Sequence, residues 1–198
     1  MSLGLLLSGG MDSVALAYWK RPAFAYTVDY GQLAAPGETR AAAAVCAELS
    51  IGHRVVNADC RQLGSGDLAG VAASPLAPVP EWWPFRNQLI ITLAGAKAIG
   101  DGVTELMVGT IRTDGAHADG RADFIELISR VMTLQEGGLR VTAPAIGLSA
   151  VELVRSSGIP RAILAWSHSC HVSACACGVC RGCTKHAQTM KALGYGDY

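Results

Sequence analysis

The chain has 198 residues, 51% of them hydrophobic and 16% charged, with sixteen basic residues balanced by sixteen acidic ones. That length supports one domain with a core of its own, and the apolar content excludes a disordered chain. The charge balance gives no footprint for a long nucleic acid or an anionic membrane; with no leader pattern and no apolar run of membrane-spanning length, a small substrate and a cytoplasmic setting are expected.

Residues 3–7 (LGLLL) read as a buried strand, and after the turn SGGMDS at 8–13 the stretch DSVALAYW reads as a helix with Val14, Leu16 and Trp19 among its apolar positions. AFAYTVDY (23–30) predicts a second strand, PGETRAAAAVCAELS (36–50) a helix with proline at its start, and HRVVNA (53–58) a third strand. A polar, proline-rich connection covers 59–84. FRNQLIITLAGAKAIG (85–100) has helical composition, TELMVG (104–109) reads as a strand, 122–135 as a helix, and SAVELVRSSG (149–158) as a short helix ending at Gly158. Such alternation predicts an α/β fold: a Rossmann-like, mostly parallel sheet with helices on both faces, because parallel strands need crossover connections. Ligands bind beyond the carboxyl ends of such strands, the edge where 8–13, 29–32 and 109–114 would lie. The loops 59–84 and 110–121 are long enough to expect mobility and a functional role.

In SGGMDS, glycines after a strand let the backbone approach a ligand, free N–H groups at a helix start form an anion nest, and Ser8 and Ser13 add hydroxyls. The run has neither the spacing nor the lysine of a Walker loop, and it is not GxGxxG. The plainer reading is a tight turn in which Asp12 or Ser13 caps the helix.

Five of the seven cysteines crowd into fourteen residues near the carboxyl end, in SCHVSACACGVCRGCTKHA (169–187). Cys170, Cys177, Cys180 and Cys183 suit a tetrahedral ion such as structural Zn²⁺, since two-residue gaps let successive thiolates converge and Gly178 and Gly182 permit tight knuckles. An iron–sulfur cluster is the competing reading. Cys175 could replace Cys177, and His168, His171 or His186 could substitute as ligands. Arg181 and Lys185 are expected to offset the charge of the centre. Cys46 and Cys60 read as packing residues.

SGGMDS after the first strand resembles the pyrophosphate (PP) loop of the ATP pyrophosphatases, which activate a substrate by transferring AMP to it. The ordered set LLLSGGMDS (5–13), DYGQ (29–32), RNQLIITLAGAKA (86–98), VGTIRTD with the later DGR (108–114, 119–121) and the cysteine cluster resembles the QueC family of 7-cyano-7-deazaguanine synthases. The resemblance implies a PP-loop α/β domain over 1–166 and a four-cysteine zinc segment over 167–198 packed on it. The implied chemistry is adenylylation of the carboxylate of 7-carboxy-7-deazaguanine, attack by ammonia, and a second adenylylation that dehydrates the amide to a nitrile. It further implies ATP with Mg²⁺, structural Zn²⁺ and a homodimer. Carried over position by position, Ser8, Gly9, Gly10, Met11, Asp12 and Ser13 would hold ATP. Arg86, Asn87 and Asp12 would serve catalysis, and Tyr30, Gln32, Arg86, Asn87, Asp114, Asp119 and Arg121 would meet the substrate.

The chain departs from the family pattern in three places. Leu33-Ala34 stands where Arg-His usually follows Tyr-Gly-Gln, Pro84-Phe85 where Pro-Gly precedes Arg-Asn, and Ala150 where a lysine precedes Ala-Glu. Mg²⁺, backbone donors and Arg86, Arg112 or Arg121 are then expected to compensate. These losses keep a close runner-up: a QueC-like relative from an anti-phage operon that joins the deazaguanine carboxylate to a protein amine. A PP-loop tRNA thiolation enzyme with an iron–sulfur cluster and a non-enzymatic zinc module are the remaining readings.

Overall fold

The computed structural model describes residues 2–196. Five strands form one parallel sheet: β1 (Leu3–Leu6), β2 (Phe24–Asp29), β3 (Gly52–Asn57), β4 (Glu105–Val108) and β5 (Arg140–Thr142). Their order is β3-β2-β1-β4-β5, every neighbouring pair parallel. The helices are α1 (Met11–Lys20), α2 (Ala35–Leu49), α3 (Gly66–Ala69), α4 (Arg86–Gly100), α5 (Ala122–Leu134), α6 (Ala150–Ser157), α7 (Arg161–Leu164) and α8 (Arg181–Ala192). Among the described residues no helix is long and apolar enough to cross a membrane.

The period-two alternation of the strands sorts side chains between two cores. Leu5, Leu7, Ala25 and Met107 face α1, α2 and α6, in a cluster with Val14, Leu16, Val45, Cys46 and Leu153. Tyr26, Val28, Leu106 and Val108 point the other way, into a cluster with Ile91 and Ala98 of α4 and Ile125 and Ile128 of α5. Burial on both faces is what a parallel sheet covered by crossover helices requires.

Three elements escape the sequence pattern. β5 is three residues long and sits at the sheet edge, where Glu105 receives Arg140 and Thr142 side chains. α7 is a single turn started after Pro160. α8 contains one of the clustered cysteines, Cys183, is N-capped by another, Cys180, and has too few apolar residues to show a helical stripe. The connection 59–84 holds a 3-10 turn at Arg61–Leu63 and α3, and is anchored by Trp83, whose ring meets Tyr30 edge-on at 4.9 Å. The loop after β4 is built from two 3-10 turns, Arg112–Ala116 and Ala118–Gly120.

The chain runs outward from β1 through β2 to β3, then returns to place β4 on the other side of β1. The strand order therefore reverses between β1 and β4, and the carboxyl ends there open into a crevice.

Candidate active site

A cavity of about 290 Å³ fills that crevice, and a wider one of about 850 Å³ adjoins it. Both are lined by Arg86, Asn87, Asp114, Asp119, Ala150 and Lys185.

The floor of the inner cavity is the turn after β1. Gly10 occupies the N-cap of α1 without any side-chain cap bond, so neither Asp12 nor Ser13 caps the helix as expected. Ser13 Oγ instead donates to the Gly10 carbonyl at 2.9 Å and lies 3.2 Å from Ser8 Oγ. Both hydroxyls thus gather over a helix start whose N–H groups favour anions. Gly9 adopts φ +75°, and a Cβ there would stand 2.6 Å from the Glu38 carbonyl, so α2 packs directly beneath the turn. On the other side, Gly109 at the end of β4 lets that strand pass Ser13 closely.

Asp12, in the first turn of α1, has Oδ2 on Lys185 Nζ at 2.9 Å, while Oδ1 is buried without a hydrogen-bond partner. Burial raises its pKa, with Lys185 pulling in the opposite direction. Lys185 also stands 3.5 Å from Asp114 Oδ1. Burial disfavours the Lys185 charge, but the two aspartates outweigh it and its pKa is raised. Asp114 is fixed by its own 3-10 turn, Oδ2 accepting from Ile111 N at 3.0 Å.

Arg86 and Asn87 open α4. Phe85, left-handed at φ +53°, is the N-cap, and Asn87 lies within the first turn. Asn87 holds the loop after β4: its backbone N–H and side-chain amide donate to Asp119 Oδ2 and O, at 3.2 and 3.0 Å. Glu38 of α2 also lines the inner cavity and accepts from Gln32 Nε2 at 2.7 Å. Burial pushes its carboxyl up to about 7.

The cysteine segment forms the remaining wall. The Sγ atoms of Cys170, Cys177, Cys180 and Cys183 all lie within 4.8 Å of one another, a group able to hold a metal ion; Cys175 is exposed and outside it. Backbone N–H groups of Cys180, Cys183 and His171 point at Cys177 and Cys180 sulfurs at 3.3 to 3.4 Å. Gly178 turns through φ +78°, while Gly182 is needed for space, because a Cβ there would strike the Ser169 carbonyl. The segment is tied to the turn after β1 by His168 N donating to Gly9 O at 2.8 Å, and to α2 by Arg40 donating to Ala174 O at 2.6 Å.

Of the residues expected from sequence, Ser8, Gly10, Met11, Asp12, Ser13, Tyr30, Arg86, Asn87, Asp114 and Asp119 line the inner cavity. Gln32, Gly9 and Arg121 do not. Gln32 is buried and braces the turn after β2 through Tyr30 N and the Val28 carbonyl. Arg121 is exposed, with Nε donating to the Gly115 carbonyl. Arg112, another expected replacement cation, pairs outside the cavity with Glu152 at 3.0 Å. Arg181 and Lys185 face carboxylates and not the sulfurs: Arg181 reaches Glu81 at 2.5 Å. Leu33 is exposed, and neither it nor Ala34 lines either of these two cavities, whereas Ala150 lines both. His168, His171 and His186 are cavity wall, outside the cysteine group. The sequence reading missed Glu38, Lys185 and these histidines as cavity residues. The signal available for the last four was adjacency to the cysteine run; Glu38 gave none beyond a glutamate in the first turn of a helix.

A parallel sheet with a glycine turn at its switch point, walled by a four-cysteine knuckle, defines a Rossmann-like α/β protein with a ligand crevice at the carboxyl ends of its strands. A solved structure of a U34-tRNA thiolase, NcsA from Methanococcus maripaludis with its [4Fe-4S] cluster, superposes with a TM-score of 0.54 over 98% of this chain and 66% of that one; at 16% identity the likeness concerns the fold alone. The profile described as "Queuosine biosynthesis protein QueC" matches residues 4–194, and the chain belongs to the QueC family. Proteins named 7-cyano-7-deazaguanine synthase align along nearly their whole length. The one from Chlorobium chlorochromatii is 32% identical, covering 98% of this chain and 92% of its own. The one from Desulforudis audaxviator is 31% identical, covering 96% of each, and that from Methanosarcina barkeri 28%, covering 97% and 94%.

Proposed function

We propose that this chain is an ATP-dependent enzyme that adenylylates the carboxylate of 7-carboxy-7-deazaguanine and passes it to a nitrogen nucleophile, giving 7-cyano-7-deazaguanine with ammonia. The observation that carries the reading is the turn at Ser8–Ser13. Its hydroxyls and helix-start donors face a cavity that continues into a second one through Arg86, Asn87 and Asp114, so a triphosphate and an acceptor carboxylate can meet at the junction. In each activation a substrate oxygen bonds to the α-phosphorus, the bond to the bridging oxygen breaks, and pyrophosphate leaves with the electron pair. The first adenylate loses AMP to ammonia and gives the amide. The second, formed on the amide oxygen, loses AMP and a proton to give the nitrile.

The donors divide this work. Ser8, Ser13 and the α1 N–H groups hold the leaving phosphates, where charge develops. Arg86 offers a fork for the acceptor carboxylate. Asn87 is a positioning residue that fixes the Asp119 loop. Asp114 and Asp119 offer carboxylates to the N–H donors of a guanine-like ring.

The donor set fits Mg²⁺ with the nucleotide: among the described residues lining the inner cavity, four carboxylates (Asp12, Glu38, Asp114, Asp119) face two cations, Arg86 and Lys185, and Asp12 Oδ1 is a buried oxygen lacking a partner. When bound, the ion would be held by Asp12 and would offset phosphate charge. The cysteines favour Zn²⁺. Tetrahedral Zn–S bonds set sulfurs about 3.8 Å apart, close to the 3.9 and 4.0 Å of the Cys177–Cys183 and Cys170–Cys180 pairs. A cubane places each thiolate on its own iron and spreads the set more widely.

One observation keeps the protein-amine reading alive: the outer cavity is the larger and is continuous with the inner one, which admits a nucleophile bigger than ammonia. Mass spectrometry of products from zinc-loaded protein, Mg-ATP and the deazaguanine carboxylate, with ammonium and with partner proteins in turn, separates the two. Free nitrile is expected. A protein adduct without nitrile transfers the assignment to conjugation, and bound iron in place of zinc favours a thiolase-like enzyme.

A further inference from the structure

The cavity's second cation comes from an unexpected element. Lys185 sits on α8, two residues beyond the cysteine Cys183, yet its ammonium meets the first turn of α1 at Asp12 and the loop after β4 at Asp114. It lines both the inner and the outer cavity, and it is the one lysine among the described lining residues of either. Arg112 and Arg121 are committed elsewhere, to Glu152 and to the Gly115 carbonyl.

We propose that Lys185 donates to the phosphates of the bound nucleoside triphosphate, exchanging its contacts with Asp12 and Asp114 for phosphate oxygens; this rests on reading the cavity as an ATP site. Two features support it. The side chain is 42% exposed, so its four-carbon stem is free to pivot. Its position where the cavities join is where the α-phosphorus must meet the acceptor. During transfer Lys185 keeps its protons and offsets charge on the phosphoryl oxygens while pyrophosphate departs.

The test is equilibrium binding of Mg-ATP and of adenosine to the full zinc-loaded chain, with zinc content and melting temperature measured alongside. Lys185→Met is expected to weaken ATP roughly 10- to 100-fold, the loss of a charged hydrogen bond, and to leave adenosine affinity unchanged. Lys185→Arg is expected to retain most ATP affinity. Lys185→Met/Asp114→Asn, which removes a carboxylate with its counter-ion, should still bind ATP weakly. Wild-type ATP affinity in Lys185→Met, an equal loss of ATP and adenosine, or full recovery in the double variant would each overturn the proposal; the last would mean that Lys185 only screens carboxylates. Lys185-dependent ATP binding without pyrophosphate release on addition of the deazaguanine carboxylate would overturn the substrate assignment and leave this role standing.

Discussion

Glu38→Gln offers a direct test of how the inner cavity treats charge. Burial holds the Glu38 carboxyl protonated up to about 7, against 4.5 when free. The folded pKa is therefore raised. Below pH 4.5 both states carry the proton and nothing is lost; between 4.5 and 7 the unfolded chain releases a proton that the folded chain retains, so stability falls as pH rises. Above 7 the loss is complete, and holding the carboxyl at about 7 in place of 4.5 corresponds to about 3 kcal/mol. Glutamine is neutral throughout and keeps an amide oxygen for Gln32 Nε2. Urea denaturation of ligand-free, zinc-loaded wild type and variant from pH 5 to 8 compares them, other titrating groups being common to both. The variant's advantage is expected to grow by roughly 2 to 3 kcal/mol across that range. A difference that stays constant with pH would refute the reasoning, because it would mean that Glu38 ionises in the fold as it does in water.

Gly9→Val places a branched side chain at φ +75°, 2.6 Å from the Glu38 carbonyl; thermal unfolding should register a loss of about 2 kcal/mol or more, and titration should show ATP binding abolished. Cys183→Ser is expected to release the metal in elemental analysis, whereas Cys175→Ser, outside the sulfur group, keeps one ion per chain. Chelation of the wild type should weaken ATP binding together with the melting temperature, because Gly182, Lys185, His186 and Thr189 of α8 are cavity wall held at the helix start by Cys180 and Cys183.

The sheet was legible because its central strands are short apolar runs bounded by glycine, charge and proline, and because helices of ten to fifteen residues alternate with them. β5 was not, since Arg-Val-Thr at an edge has no run to detect and is held by pairing with β4 and by Glu105. The glycine turn and the cysteine spacing were legible as local chemistry, each being a contiguous set of residues whose types and gaps serve one purpose. The partners of those residues were not. Lys185 reads as a neighbour of the cysteines along the chain, and only the fold carries α8 across to Asp12, 173 positions away. Gln32 and Arg121 show the converse: polar residues beside a site in sequence, whose side chains the fold directs into backbone contacts.

The central claim is that the substrate's carboxylate oxygen attacks the α-phosphorus of ATP. Incubating zinc-loaded protein with Mg-ATP, ammonium and 7-carboxy-7-deazaguanine labelled with ¹⁸O in its carboxylate, and weighing the AMP released, tests it most directly. The label is expected in the AMP phosphate. Unlabelled AMP, or no AMP dependent on this substrate, would contradict the account.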